Sequence, residues 1–234
     1  MHIRLKRLIG TAALILTLCG VMPAKATLIT NSYVNTTYDR VGRYYDGSSN
    51  RVSANSYVGQ FDGGGSVDWN DRSFFIYTLP ALEPGQTIVS ATLKTALLTI
   101  DNPVYDVDVY HVQDLNHGDP LVGDDYDAGT ATLTAASFVT PDSASGWHLL
   151  DVLSDVLADY ANDPSGEKYA TFRFQLQNET PVGVNSSADG AEKRYYFTTD
   201  STKLILEIIP EPASVSLFLV AGLSVALIRR RLRS

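Results

Sequence analysis

Cysteine is almost absent from this chain, because its 234 residues contain only Cys19. This cysteine lies in an apolar segment near the N-terminus that we expect to be removed on export. The remaining chain would then hold no cysteine, which excludes a disulfide framework. The stability of the exported part must therefore come from packing, to which bound ions could add.

The motifs of common hydrolases are absent as well. The sequence has no Gly-x-Ser-x-Gly nucleophile turn and no His-Glu-x-x-His zinc helix. A glycosidase needs two converging carboxylates, but 26 Asp and Glu residues allow such a pair to be nominated anywhere. We therefore assign no catalytic residue and predict that the protein is not an enzyme.

Basic residues are scarce in the middle of the chain. Segments 1–26 and 210–234 each hold four Lys and Arg, so ten of the 18 remain for residues 27–209. The same residues hold 25 of the 26 Asp and Glu, since only Glu211 lies outside, and their net charge is near −15. Because such a surface repels polyanions, we exclude nucleic acid as a partner.

The middle of the chain alternates in the manner of β-strands. Runs rich in Val, Ile, Tyr, Phe and Thr are separated at short intervals by Gly, Asn, Asp and Pro. This pattern predicts an all-β domain over residues 27–209, a β-sandwich with one short helix at 151–160. Leu97 and Leu98 break the alternation and predict a β-bulge. The residues expected to face the core are Phe75, Tyr77, Leu79, Val89, Ala91, Leu93, Tyr105, Val107, Val109, Phe172, Phe174, Leu176, Leu204, Leu206 and Ile208, with Val152, Leu153, Val156, Leu157 and Tyr160 on the helix.

The N-terminus has the composition of a secretory signal peptide. Three basic residues precede an apolar stretch over residues 8–21, and Ala24 and Ala26 then supply the small residues that signal peptidase accepts. We predict a signal helix over 1–26, with cleavage after Ala26.

The C-terminal tail, residues 210–234, has three parts. Pro210, Glu211 and Pro212 come first, and an uncharged apolar run over 213–228 follows. As a helix this run would span about 24 Å, so we predict a transmembrane segment, short for a bilayer core. Arginines after it would stop transfer and leave residues 27–209 outside the cell membrane. The stop-transfer residues are Arg229, Arg230, Arg231 and Arg233.

This order closely resembles the PEP-CTERM sorting signal of Gram-negative bacteria. The resemblance implies that an exosortase-type enzyme reads Pro210-Glu211-Pro212 and processes the membrane-anchored precursor. It also implies an association with exopolysaccharide, an inner-membrane intermediate, and a final location on the cell surface or in the extracellular matrix. The alternative is a permanent anchor that is never cut, for which the apolar run is short.

A second resemblance covers about residues 30–209. The segments 72–80, 85–93, 107–112, 147–157 and 204–208 resemble the DNRLRE domain in their strands and spacers. This implies a jelly-roll-like β-sandwich of the kind found on bacterial surface and secreted proteins, related in form to carbohydrate-binding modules. The arginine-glutamate signature of that family is replaced here by residues 196–200.

Clustered carboxylates offer a candidate cation site. Hard oxygen ligands in flexible loops suit calcium, although no loop has EF-hand spacing. The favoured alternative is that acidic loops keep an exported protein soluble, and no other cofactor is expected. His111 and His117, with Asp114 between them, lack the enforced geometry of a metal site. The candidate calcium ligands are Asp106, Asp108, Asp124, Asp125 and Asp127, with a further cluster at Asp62, Asp68 and Asp71.

Binding of sugar requires flat aromatic faces beside polar groups. The candidate glycan contacts are Trp69, Tyr110, Tyr126 and Tyr196, whereas Trp147, which precedes an apolar run, is expected in the core. The favoured function is structural or adhesive, in association with exopolysaccharide. A dedicated carbohydrate-binding module is the second hypothesis, and a surface polysaccharide hydrolase is the third.

Overall fold

A computed structural model of the protein divides the chain into two compact units. It describes residues 26–32, 40–44, 51–53, 56–62, 67–101, 105–113, 127, 129–162, 168–179, 193–198 and 202–210. The smaller unit comprises Met1–Thr27, Leu82–Thr87 and Ile208–Ser234. Its described part includes a turn in which the Gln86 amide donates to the Glu83 carbonyl at 3.0 Å.

The larger unit, Leu28–Ala81 and Ile88–Glu207, carries most of the regular structure. Its described part is mostly antiparallel β-sheet with one short helix, α1 (Leu153–Asn162). This confirms the predicted all-β class and is consistent with a β-sandwich. The strands are β1 (Thr27–Ser32), β2 (Arg40–Tyr44), β3 (Arg51–Ser53), β4 (Tyr57–Asp62), β5 (Val67–Leu79), β6 (Gln86–Asp101), β7 (Val107–Gln113), β8 (Thr130–Val139), β9 (Gly146–Asp151), β10 (Lys168–Leu176), β11 (Lys193–Phe197) and β12 (Lys203–Pro210).

The strands are joined in the hydrogen-bonded order β1-β12-β6-β11-β4-β5-β10-β7-β8. Strand β2 pairs with both β3 and β5, and β9 pairs with β6. Strands β5, β10 and β7 lie side by side, so that Phe75, Phe172 and His111 form one cross-strand row. These three strands position the candidate site.

One face of these strands forms an apolar core. The Phe174 ring lies 4.9 Å from that of Phe75 and 5.1 Å from that of Phe197. Burial of such large side chains is the main favourable term in folding. The predicted core residues that are buried are Phe75, Tyr77, Leu79, Ala91, Leu93, Val107, Val109, Val152, Val156, Phe172, Phe174, Leu176, Leu204, Leu206 and Ile208.

The predicted bulge is confirmed in β6. Phe197 pairs with Leu97 and Tyr196 pairs with Thr99, so Leu98 has no counterpart on β11. Leu97 is buried, whereas Leu98 is exposed. The extra residue lets each of the two adjacent leucines take its own side of the sheet.

Three predicted core positions are wrong. Val89 is exposed because the buried residues Ile88 and Ala91 are three apart, so strict alternation begins only at Ala91. Leu157 is exposed because Val156 takes the inward side of α1. Trp147 is 53% exposed, since β9 pairs only with β6 among the described strands and its outward residues are left uncovered.

Helix α1 is held at both ends by polar contacts. The Asp151 carboxylate accepts a hydrogen bond from the Leu153 amide at 3.0 Å, which caps the first turn. Near the other end, the Tyr160 hydroxyl donates to the Pro80 carbonyl at 2.6 Å. Burial raises the pKa of Tyr160 to about 12. The observed helix begins two residues later than predicted and ends two residues later.

Candidate functional site

The two faces of β10 differ in chemistry but not in burial. Phe172, Phe174 and Leu176 belong to the apolar core, whereas Thr171, Arg173 and Gln175 alternate with them and point the other way. Arg173 pairs with Phe74 on β5 and with Tyr110 on β7. We call this second surface the polar face. It comprises Arg72 and Phe74 on β5, Asp108 and Tyr110 on β7, and Thr171, Arg173 and Gln175 on β10, and it continues toward β4 at Asn70 and Gln60.

Arg72 is fully engaged by carboxylates. Its Nε and Nη2 donate to the two carboxylate oxygens of Glu179 at 2.9 and 2.7 Å, a bidentate pair. Its Nη1 donates to Asp127 at 2.7 Å. Asp127 was a predicted calcium ligand, and here it forms an ion pair with an arginine instead. This arrangement ties the end of β10 to β5.

Arg173 lies beside Arg72 but has no such partner. It is 7% exposed, and no carboxylate among the described residues lies within ion-pair distance of its guanidinium. Its Nε is buried without a hydrogen bond, and its Cζ lies 5.3 Å from the centroid of the Tyr110 ring. Burial, and then the charge of Arg72, lower the pKa of Arg173. A buried cation without a counter-charge costs free energy, so this position is built for something other than stability.

Tyr110 supplies the aromatic surface on which the Arg173 guanidinium rests. The side chain is half-buried, and burial raises its pKa, with a further rise from the nearby Asp108 carboxylate. An arginine over a tyrosine ring is held in one orientation by the cation–π attraction. The free edges of the guanidinium are therefore presented in a fixed geometry.

Two amide side chains extend the set of unpaired polar atoms. Both amide atoms of Gln60 are buried without a partner, and so is Oε1 of Gln175. Gln60 is 1% exposed and lies opposite Asn70 in the β4–β5 ladder. Nearly all buried polar groups in proteins are hydrogen-bonded, so such exceptions require an explanation. Together with Arg173 they offer both donors and acceptors for an oxygen-rich ligand.

Asp108, a predicted calcium ligand, has a backbone role. Its Oδ1 accepts a hydrogen bond from the Ser137 amide at 2.8 Å. Ser137 has φ 51°, a left-handed conformation, where the β7–β8 register shifts at a bulge. The carboxylate satisfies an amide that the irregular ladder leaves free, and Asp108 is buried rather than presented to solvent.

The remaining predicted calcium ligands are not brought together. Asp106 precedes β7 and is half-buried, and Asp124 and Asp125 lie outside the described residues. Within the described part of the chain, no group of three or more His, Cys, Asp or Glu side chains is arranged to hold a metal ion. In the second acidic cluster, Asp71 accepts a hydrogen bond from the Trp69 indole at 3.0 Å.

The predicted glycan contacts do not form an exposed aromatic row. Trp69 stacks on Phe61 with centroids 4.2 Å apart, and Tyr196 packs against Tyr57 at 5.4 Å. Both are half-buried, as is Tyr110, and Tyr126 lies outside the described residues. Only Tyr110 stands beside unpaired polar atoms. The sequence analysis missed Arg173 and Gln60, whose alternation with apolar residues made them look like solvent-facing positions.

His111 forms a buried polar cluster with α1. Its Nε2 lies 2.8 Å from Asp159 Oδ1, and its Nδ1 lies 3.9 Å from Asp155 Oδ1. Asp155 also accepts a hydrogen bond from the Thr134 hydroxyl at 2.8 Å. Burial raises the pKa of Asp159, and the hydrogen bond with His111 partly opposes that rise. This cluster fastens α1 to β7 and β8; the other predicted members of a histidine metal pair, Asp114 and His117, lie outside the described residues.

Comparisons with known proteins add little. No family model matches the chain, and no curated protein matches it. Among solved structures, the chain is similar to the VP1 pentamer of Human Polyomavirus 6, with 7% identity, 81% of this chain and 95% of that chain covered, and a TM-score of 0.26. A similarity at this TM-score supports no conclusion about function.

Most of the predicted targeting residues lie outside the described part of the chain. These are the signal segment up to Ala24, the motif residues Glu211 and Pro212, and the apolar run 213–228 with its arginines. Ala26 is exposed, and Pro210 is the exposed last residue of β12. Among the residues that are described, no helix is long and apolar enough to cross a membrane.

Proposed function

We propose that this protein is a non-catalytic, exported surface or matrix protein that holds extracellular polysaccharide on its polar face. The observation that carries the proposal is the buried, unpaired Arg173 on the Tyr110 ring. Gln60 and Gln175 add unpaired amide atoms. A saccharide presents many hydroxyl oxygens that both donate and accept, and it matches such a mixed set better than an apolar ligand does.

Two further observations favour binding over catalysis. The carboxylates of Glu179 and Asp127 are taken up by Arg72, and that of Asp108 by the Ser137 amide. A hydrolase would need a carboxylate pair free to act as acid and base or nucleophile. The charge near −15 over residues 27–209 also favours a neutral or cationic partner over a polyanion such as nucleic acid.

The location is proposed from the sequence of the two ends. Segment 1–26 would direct export, and the tail 210–234 would act as a PEP-CTERM sorting signal read by an exosortase-type enzyme. The fold would be a jelly-roll-like sandwich of the DNRLRE type. Changing Glu211 to Ala should trap a full-length precursor in the membrane. An intact C-terminus on wild-type protein in the inner membrane of its host would contradict this part of the proposal.

The binding proposal is tested with the full chain, purified in a detergent without a sugar headgroup. The protein is screened on an array of bacterial extracellular polysaccharides, in calcium and in EDTA. We expect retention by at least one polysaccharide and loss of that retention in Arg173→Met. A loss of retention in EDTA would assign a role to calcium as well. Absence of retention by every polysaccharide in both buffers would overturn the proposal.

A further inference from the structure

A second surface of mixed apolar and polar character lies on the ladder between β6 and β9. Trp147 pairs with Ala96, Leu149 with Lys94, and Asp151 with Thr92. Residues two apart on a strand and directly opposite residues on its neighbour share one side of a sheet. These six side chains therefore lie on one surface, which we call the outer strip: Thr92, Lys94, Ala96, Trp147, Leu149 and Asp151.

The outer strip is open to solvent. Trp147 is 53% exposed and Leu149 is 63% exposed, whereas Leu93 and Leu97 on the other side of β6 are buried. Trp147 is the only aromatic side chain classed as exposed among the described residues. Leaving an indole and a leucine in water gives up hydrophobic stabilisation, and such groups are enriched where proteins bind partners.

The indole of Trp147 is held in place rather than left to rotate. Lys94 Nζ lies 4.0 Å from the centroid of its ring, a cation–π contact across the ladder. The residue directly opposite Trp147 is Ala96, whose small side chain leaves room for the ring beside the sheet. The strip thus combines a restrained aromatic ring with an aliphatic neighbour, an ammonium group, a hydroxyl and a carboxylate.

We infer that the outer strip is a second saccharide site, which stacks neutral hexopyranose units with equatorial hydroxyls on Trp147. Such a sugar has an apolar face of C–H groups and a polar rim, and this is the complement of a flat ring bordered by hydrogen-bonding groups. Leu149 would extend the apolar contact, while Lys94 and Thr92 would face the hydroxyl rim.

A second copy of this chain is a poorer occupant for the strip. A stable protein interface buries about 20–30 residues on each side, whereas the strip offers two large apolar side chains. Self-association would also bring together two bodies that each carry a charge near −15, and a neutral saccharide meets no such repulsion. The charged side chains of Lys94 and Asp151 beside β9 further discourage edge-to-edge strand pairing.

The inference goes beyond the proposed function because the strip shares no residue with the polar face. Only its consequence depends on that function. If both surfaces bind polysaccharide, one protein would contact a polymer at two places or join two polymers, and its retention would exceed that of either site alone.

The chain offers a clean probe, because Trp69 and Trp147 are its only tryptophans. In full-length Trp69→Phe, in detergent without a sugar headgroup, Trp147 is the sole indole. We expect cellohexaose to shift its emission to shorter wavelength and to protect it from acrylamide quenching. In an otherwise unchanged chain, Trp147→Ala should weaken cellohexaose binding about tenfold, measured by calorimetry, and Trp147→Tyr should restore most of it.

A matched pair of leucine variants separates the strip from general surface effects. Leu149→Ala should weaken cellohexaose binding, whereas Leu133→Ala, at an exposed leucine on β8, should leave it unchanged. Unchanged Trp147 emission and quenching at saturating cellohexaose would overturn the inference. Sedimentation showing a dimer that Trp147→Ala abolishes would overturn it in favour of a second copy. Arg173→Met should retain the Trp147 response, so a failure of the polar face is distinguished from a failure of the strip.

Discussion

The two faces of β10 are buried to a similar degree but are filled differently. Phe172 and Phe174 are 0% exposed and surrounded by aromatic rings. Arg173 between them is 7% exposed, yet its Nε has no hydrogen bond. A buried face that is packed contributes stability, whereas one that holds unpaired polar atoms costs stability. The difference separates the part of the sheet that holds the fold from the part that we propose binds a ligand.

The largest effect is expected on the packed face. Replacing Phe172 with Ala should lower the free energy of unfolding by about 3–5 kcal/mol, because it removes a ring that neighbours Tyr77 and His111. Urea denaturation measures the change, with Leu133→Ala as the exposed control. A loss below about 1 kcal/mol would mean that this face is not the packed one.

A smaller effect is expected for the arginine that has its partners. Arg72→Met should cost about 2 kcal/mol, because it leaves the half-buried Glu179 carboxylate without its bidentate donor. Asp127→Asn is the control, and it should change stability by less than about 1 kcal/mol, since that side chain is 55% exposed. Equal effects of the two variants would show that Arg72 does not act through Glu179.

The His111 cluster shows how a buried polar group behaves when it is partnered. Burial raises the folded pKa of Asp159 above its ordinary value of 3.8, so folding favours its protonated form. Stability of the wild type relative to Asp159→Asn should therefore be highest below pH 3.8 and fall as the pH rises through the folded pKa. Urea titrations of both proteins across this range measure the difference. A relative stability that rises with pH would mean that the hydrogen bond with His111 outweighs burial.

Sequence periodicity predicted the packed face well. The alternation in β5, β7, β10 and β12 identified Phe75, Val109, Phe172 and Leu206 as buried, and the doublet at Leu97 identified the bulge. A period of two residues is a local property, so it survives whatever lies on the other side of the sheet.

The same periodicity could not show that the opposite row is buried as well. Phe74 and Arg173 occupy positions that alternate with core residues, and both are less than a tenth exposed. Whether an outward row is covered depends on contacts between distant segments. Trp147 was mispredicted for the converse reason: it precedes an apolar run, but β9 has only β6 beside it in the described sheet. Pairing at an edge is a long-range property that a local pattern does not contain.

The central claim is that Arg173 is kept for binding at a cost to stability, and Arg173→Met tests it most directly. The free energy of unfolding and the affinity for the polysaccharide retained by the wild type are measured on the same preparations. We expect stability to stay the same or to rise by about 1 kcal/mol, because methionine fills the site without an unpaired charge, while affinity falls by about tenfold or more. A loss of about 2 kcal/mol in stability with unchanged affinity would show that Arg173 serves the fold, and would contradict the account.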